Sequence, residues 1–227
     1  ALHPNSPALI GEDGSRLSFA GLHAAVEIQA GALTAAGLEA GDRLCLLAWN
    51  SSAFFILLLA CARQGVVVAP LNWRLSGEEL QRLLERIGPK AVVADAENAP
   101  NLPGTPASRA TDWPGVTQWL LLNAPQGGPL AEGFTLLSDL AACAPPPRPE
   151  LGAAAPAAII ATAAVDVIPR GAVLSHGNLL AANVQLMAAL ALSPADGNLL
   201  ALPLFHIAGL GTALAFLHAG AVNAVMP

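Results

Sequence analysis

Short apolar runs recur along the chain and are separated by longer stretches with a helical period. Most of the runs lack strict alternation of apolar and polar residues, which is typical of strands buried on both faces of a parallel sheet. Strands are predicted at 43–49, 66–69, 91–94, 116–122, 157–162, 172–174, 199–202 and 221–226. Residues 1–15 predict a polar lead-in with a turn at 11–14.

The stretches between these runs carry helix signals. Ser76 and Glu79 have the spacing of a capping box, and the residues after them place an apolar stripe at i, i+3, i+4 and i+7. Helices are predicted at about 19–36, 52–65, 76–88, 176–192 and 209–219. Because strands and helices alternate, we predict an α/β fold with a largely parallel sheet flanked by helices.

Composition excludes several functional classes. A formal net charge of −6 offers no basic patch for nucleic acid. The longest apolar run, at 53–62, is too short for a membrane span, which needs about 20 residues. There is no N-terminal signal pattern, and the three cysteines lack metal-binding spacing. We therefore expect a cytoplasmic protein with reduced thiols, no metal site, no membrane span and no nucleic-acid partner.

The stretch at 157–180 predicts a strand, a loop, a second strand and a helix. Pro169 restricts its own backbone and biases the preceding residue toward an extended form. Arg170 and Gly171 place a cation beside a residue that can adopt positive φ. Ser175 is the predicted N-cap of the helix that follows.

This stretch resembles the phosphate loop of the adenylate-forming enzymes, which include acyl-CoA synthetases, peptide-synthetase adenylation domains and luciferases. Their pattern is Tyr-Thr-Ser-Gly-Thr-Thr-Gly-x-Pro-Lys-Gly, then an apolar strand and a Ser/Thr-His pair. The matching residues are Thr162, Pro169, Gly171, Ser175, His176 and Asn178. Arg170 stands where the family has Lys, and residues 161 and 163–167 replace its aromatic, hydroxyl and glycine positions. The loop at 161–171 is therefore a degenerate version of the motif.

Three further segments resemble the same superfamily in the expected order. Gly41-Asp42-Arg43 precedes an apolar strand, and the stretch at 70–80 is similar to the Pro-Leu-Asn-x-Arg-Leu segment with its helix. The stretch at 202–206 resembles the Pro-Leu-Phe-His motif, which borders the acyl pocket in the family. Four motifs in register cover almost the whole chain, so the chain resembles the N-terminal part of these enzymes.

The resemblance implies a domain organisation and a reaction. Residues 1–192 would form the first α/β subdomain, with a linker at 144–155, and residues 193–227 would begin the second. The parent protein would use ATP and magnesium to adenylate a carboxylic acid and would pass the acyl group to a thiol such as coenzyme A. The family's ribose-binding Asp and catalytic Lys would lie after residue 227. We therefore assign no catalytic residue to this chain and expect it, alone, to be inactive and to bind no cofactor tightly.

Thr162, Arg170 and Gly171 are the candidate residues for binding ATP. A triphosphate loop needs hydroxyl and backbone donors, a cation and small residues that permit close approach. Asp166 would oppose binding, because like unit charges about 4 Å apart repel by roughly 4 kcal/mol at an effective dielectric constant near 20. We favour a remodelled connection that no longer binds ATP over an intact site. The alternative for Arg170 itself is a surface pair with Asp166.

Phe205, His206 and Gly209 are the candidate residues for binding the acid. In open α/β sheets, ligands usually bind at the carboxyl ends of strands. Phe205 would offer apolar area, His206 a polar tip and Gly209 room for close approach. The alternative for His206 is a structural histidine. His176 is interpreted as structural, with a hydrogen bond from its ring, and the four tryptophans are interpreted as core residues.

Two functions follow from these patterns. The favoured one is an N-terminal fragment of an AMP-dependent acyl-CoA synthetase-like ligase, and the alternative is a non-catalytic homologue that serves as a binding or interaction module. A chain cut inside a second subdomain should leave apolar surface uncovered at 199–202 and 221–226. Because unpaired apolar strands associate readily, we expect a homodimer or a disordered C-terminal segment.

Overall fold

A computed structural model describes residues 3–140, 144, 147–162 and 170–226, which form two β-sheets and six α-helices. The strands are β1 (Pro7–Ile10), β2 (Arg16–Ser18), β3 (Arg43–Leu47), β4 (Val67–Pro70), β5 (Ala91–Ala94), β6 (Gln118–Leu121), β7 (Thr135–Leu136), β8 (Pro156–Thr162), β9 (Arg170–Ser175), β10 (Gly197–Leu200) and β11 (Val222–Val225). The helices are α1 (Phe19–Ala35), α2 (Ser52–Gln64), α3 (Gly77–Ile87), α4 (Pro106–Asp112), α5 (His176–Leu190) and α6 (Ile207–His218).

The larger sheet has seven strands in the order β7-β6-β5-β3-β4-β8-β9. Its described pairings are parallel, except that β9 returns antiparallel to β8. Apart from Arg43, every residue of β3, β4 and β5 is buried, as expected for strands covered on both faces. The prediction of an α/β fold with a largely parallel sheet and flanking helices is confirmed.

The smaller sheet has the order β10-β11-β1-β2 and joins the two ends of the chain. Strand β1 runs parallel to β11, with Leu9 opposite Asn223, and antiparallel to β2. The expectation of a polar lead-in is therefore wrong, because Ala8 and Leu9 are buried in a strand. The expectation of an unpaired β11 is also wrong, since β1 and β10 flank it on both sides. The predicted division into two subdomains, at 1–192 and 193–227, stays a prediction.

Helix α2 lies at the centre of the larger hydrophobic core. None of its residues is exposed, and Phe54 and Phe55 are completely buried. The core around it combines apolar side chains from the larger sheet, such as Leu46, with side chains from the smaller sheet, such as Leu9 and Val225. Both sheets therefore depend on α2 to bury their facing sides.

Apolar surface is left open at several positions of the described residues. Leu199 and Leu202 are exposed, as expected, but Val225 of β11 is buried. A groove of about 990 Å³ lies between α1, α2, α5 and α6, and its apolar lining includes Val26, Leu59, Leu180, Leu214 and Leu217. The homodimer stays a prediction. Among the described helices, none has the length and apolar character needed to cross a membrane.

We predict that Leu9→Ala lowers the free energy of unfolding by about 2–4 kcal/mol, because it leaves a cavity in the core that both sheets share. Urea unfolding of the 227-residue chain measures this change. The matched control is Ile28→Ala, whose side chain on α1 is 67% exposed, and it should have almost no effect. Equal stability of both variants would show that the chain start is only a lead-in.

Candidate functional site

The candidate site lies at the edge where the parallel strands of the larger sheet end. Trp49 follows β3, Trp73 follows β4 and Asp95 follows β5. Strand β8 runs parallel to β4, so its last residue, Thr162, lies at the same edge. Phe205, which follows β10 of the smaller sheet, packs its ring edge-on against Trp73 at 6.2 Å. Carboxyl ends of parallel strands from both sheets therefore meet here, where ligands usually bind.

An aromatic cluster covers this edge. The rings of Trp49 and Trp73 are 3.8 Å apart at an angle of 40°, and the guanidinium carbon of Arg74 lies 4.5 Å from the centre of the Trp73 ring. The interpretation of all tryptophans as core residues holds for Trp113 but is wrong for Trp49, which is 46% exposed. Their positions in the sequence could have indicated this site, because Trp49 and Trp73 occur where predicted strands end.

Asp95 anchors the backbone beneath the aromatic cluster. Its Oδ2 accepts a hydrogen bond from the backbone N–H of Trp49 at 2.7 Å. Its Oδ1 accepts from the backbone and side-chain nitrogens of Asn98 at 2.7 and 2.8 Å. Burial raises the pKa of Asp95 above its usual range, and these hydrogen bonds oppose the rise. The sequence predicts a strand at 91–94, directly before Asp95, but no pattern in it points to this anchoring role.

Asn50 connects the edges of the two sheets. Its Nδ2 donates to the carbonyl oxygens of Leu200 and Leu202, each at 2.9 Å. Its Oδ1 accepts from the N–H of Leu204 at 2.8 Å. No local sequence pattern indicates this role of Asn50, because its partners lie about 150 positions later in the chain.

Thr162 and Arg170 face each other across the hairpin formed by β8 and β9. The hydroxyl of Thr162 donates to the carbonyl oxygen of Arg170 at 3.1 Å. Positions 163–169 between them, which include Asp166, lie outside the described residues. Both alternatives for the phosphate loop therefore stay predictions, as does the pairing of Arg170 with Asp166.

Gly171 lies in β9 opposite Ala161 and does not use the positive φ that glycine permits, because the strand begins at Arg170 and already includes it. A Cβ at this position would lie 2.6 Å from Cγ2 of Ile159 on β8, so a larger residue here would force that side chain to shift. The binding of ATP by Gly171 stays a prediction.

The described part of the hairpin places a hydroxyl and a cationic side chain at this edge of the sheet. Arg170 is exposed at the end of the sheet where Thr162 emerges from β8. The Thr162 hydroxyl would have to turn away from the Arg170 carbonyl to donate to a phosphate oxygen. Among the described residues, no three His, Cys, Asp or Glu side chains come together as a possible metal site.

His206 is the N-cap of α6. Its Nδ1 accepts a hydrogen bond from the backbone N–H of Ala208 at 3.2 Å, so the neutral ring carries its proton on Nε2. The ring is exposed, which leaves the Nε2–H group able to donate to a ligand. The structural reading and the pocket reading of His206 are therefore compatible, since each uses a different ring nitrogen.

Gly209 is buried where α6 packs against the segment before it. A Cβ on Gly209 would overlap the carbonyl oxygen of Pro203 and would lie 2.8 Å from that of Leu202. Gly209 thus permits α6 to pack closely against the chain's own backbone. Its contact with a substrate stays a prediction.

His176 begins α5 within a capping box formed by Ser175 and Asn178. Burial lowers the pKa of His176. Its Nε2 is buried and has no hydrogen-bond partner among the described residues, so the ring hydrogen bond expected from the sequence is not present at that atom. The predicted cap at Ser175 is confirmed, with its Oγ accepting from the N–H of Asn178 at 3.1 Å.

Comparison with known proteins places this arrangement in a family. The profile of the AMP-binding enzyme family matches residues 1–227. Feruloyl-CoA synthase from an Amycolatopsis species is 32% identical over 198 residues, which cover 87% of this chain and 36% of that protein. Long-chain-fatty-acid–CoA ligase FadD13 from Mycobacterium tuberculosis is 32% identical over 200 residues, covering 88% of this chain and 37% of that protein.

A solved structure agrees with the sequence comparisons. The inhibitor-bound N-terminal domain of FACL13 from Mycobacterium tuberculosis matches with a TM-score of 0.85 at 30% identity. The match covers 100% of this chain and 54% of that one. The chain thus spans little more than a third of the length of the two curated relatives.

We predict that Gly209→Ala destabilises the chain by about 2–3 kcal/mol, because the new methyl group meets backbone atoms that cannot move aside without shifting α6. Gly211→Ala is the matched control on the same helix, since a Cβ there has no neighbour within 4 Å. It should stabilise the chain by about 0.5–1 kcal/mol through helix propensity. Urea unfolding compares them, and equal effects would contradict the packing role.

We predict that His206→Ala lowers stability by about 0.5–2 kcal/mol through loss of the cap, whereas His206→Asn retains most of it, because asparagine is a preferred N-cap residue. The measurement is urea unfolding of the 227-residue chain followed by circular dichroism. If the alanine and asparagine variants were equally stable, the ring would not act as the cap of α6.

Proposed function

The chain belongs to the AMP-binding enzyme family, and we propose on this basis that it is the N-terminal part of an AMP-dependent ligase of the acyl-CoA synthetase type. In the parent, the carboxylate oxygen of an acid attacks the α-phosphorus of ATP and displaces pyrophosphate. The sulfur of a thiol such as coenzyme A then attacks the acyl carbon, and AMP leaves. The match of the family profile to residues 1–227 is the observation that carries this proposal.

ATP is a co-substrate in this proposal, and magnesium accompanies it. Although the altered sequence at 163–167 would weaken the loop, the proposal keeps Arg170 as the cation that meets the phosphates at the sheet edge, with Thr162 beside it and Gly171 in the strand that holds Arg170 in place. Positive charge and donors placed around the phosphates stabilise the charge that develops during their transfer. The exposure of Arg170 and the position of Thr162 at the end of β8 support this assignment.

The acid would bind beside Phe205 and His206. Phe205 is held against Trp73, and the Nε2–H of His206 can donate to a polar group of the acid or of its adenylate. Gly209 would contribute by holding α6 close to the segment before it, which places the His206 ring. The named relatives act on acids as different as ferulate and long-chain fatty acids, so we propose the reaction without an acid class.

A non-catalytic homologue that binds a partner is the second candidate. The sequence of residues 163–167, which lacks the family's glycines and hydroxyls, favours it. We also place the parent in the cytoplasm, where ATP and coenzyme A are available. The free, buried thiols of Cys45 and Cys61 are compatible with that compartment.

We predict that the parent catalyses acid-dependent exchange of pyrophosphate into ATP and that residues 1–227 alone do not. In the parent, Arg170→Met should lower this exchange by about tenfold or more, because it removes a cation from the phosphates. Arg16→Met on β2 of the smaller sheet is the control and should leave the exchange unchanged. Absence of exchange with every acid in the wild-type parent would favour the binding module.

A further inference from the structure

The backbone that leads from β10 to α6 is irregular and would be left with unpaired polar groups without Asn50. Leu200 O, Leu202 O and Leu204 N all bond to this one side chain. Leu204 itself is completely buried, and backbone groups at such positions need partners within the protein. The amide of Asn50 therefore determines the path of the segment that carries Phe205 and His206.

Only an amide supplies the required combination of groups. The site uses two N–H donors from Nδ2 and one acceptor oxygen from Oδ1. A carboxylate at the same position would still accept from Leu204 but would face the carbonyl oxygens of Leu200 and Leu202 without a proton to share. Because aspartate has nearly the same shape as asparagine, Asn50→Asp removes the two donated hydrogen bonds and leaves the packing of the side chain almost unchanged.

The backbone next to Asn50 is itself anchored. The preceding N–H, of Trp49, is fixed by the buried carboxylate of Asp95 at 2.7 Å. The end of β5, where Asp95 lies, thus sets the position of the Asn50 amide. The following residue, Ser51, bonds through its side chain to the N–H of Phe54 at 3.1 Å and acts on the start of α2.

From these contacts we propose that Asn50 is a positioning residue for the acid pocket and a determinant of acid selectivity. The inference rests on the proposed ligase function, because it assigns Asn50 to the pocket formed by Phe205 and His206. Asn50 acts through the backbone at 200–204, which places Phe205 against Trp73 and sets the start of α6. Loosening that backbone shifts the wall of the pocket without removing any group that touches the substrate.

The first experiment measures whether Asn50 holds the segment in the 227-residue chain. Amide hydrogen exchange by NMR reports on Leu204, whose N–H bonds to Asn50, and on Leu210, whose N–H bonds to the backbone of His206. We expect Asn50→Ala to accelerate exchange at Leu204 by about tenfold or more relative to Leu210. Asn50→Asp should keep Leu204 protected, because its oxygen still accepts.

Ser51→Ala is the matched control. It weakens the start of α2 from the neighbouring position but removes none of the hydrogen bonds to the segment. It should therefore leave the ratio of Leu204 to Leu210 exchange unchanged. An unchanged ratio in Asn50→Ala, or an equal change in Ser51→Ala, would overturn the proposal.

The second experiment tests selectivity in the parent enzyme. The ratio of kcat/KM for a bulky acid to that for acetate should change by about fivefold or more in both Asn50→Ala and Asn50→Asp, while KM for ATP stays within about twofold. Ser51→Ala should leave the ratio at the wild-type value. A uniform loss of kcat/KM for all acids, or the same shift in Ser51→Ala, would reduce Asn50 to a stabilising residue.

The two experiments separate failure of this inference from failure of the proposed function. A wild-type parent that is inactive with every acid overturns the ligase function and the selectivity role together. In that case, amide hydrogen exchange at Leu204 still shows whether Asn50 holds the segment at 200–204. An active parent whose acid ratios are insensitive to both Asn50 variants overturns only the positioning role.

Discussion

Helix α2 imposes the main constraint on this structure because it has no polar face. Every residue from Ser52 to Gln64 is at least partly covered, so the helix needs neighbours on all sides. Helix α1 packs along it, and the larger sheet packs against it through β4. Apolar side chains from the first and last strands of the chain lie in the same core, so the burial of this helix and the pairing of those strands belong to one hydrophobic core.

The same constraint explains where the candidate site forms. The loop before α2 lies where the carboxyl ends of strands from both sheets meet, and backbone groups there have no strand neighbours on one side. Asp95 and Asn50 satisfy several of these groups, and Asp95 remains anchored although burial raises its pKa. The rings of Trp49 and Trp73 pack against each other at this edge, where Trp49 is exposed and Trp73 is half-buried.

Residues of the segment proposed to bind the acid also have structural roles that the motif alone does not reveal. His206 uses Nδ1 to cap α6, and this leaves Nε2–H as the group able to meet a ligand. Gly209 permits α6 to approach the backbone of Pro203 and Leu202. Capping and close packing fix the start of α6, so the same residues that stabilise the helix determine how the His206 ring is presented.

Local patterns in the sequence determined the α/β class, most strands of the larger sheet and the caps at Ser76 and Ser175. These features depend on the order of neighbouring residues, and motif spacing likewise located Phe205, His206 and the hairpin at Thr162. Only the tertiary structure decided that β1 pairs with β11, that Trp49 meets Trp73 and that Asn50 bonds to Leu204. Those contacts join residues from about 24 to more than 200 positions apart. They depend on which strands pair and on how the two sheets share one core around α2, and short stretches of sequence do not determine either.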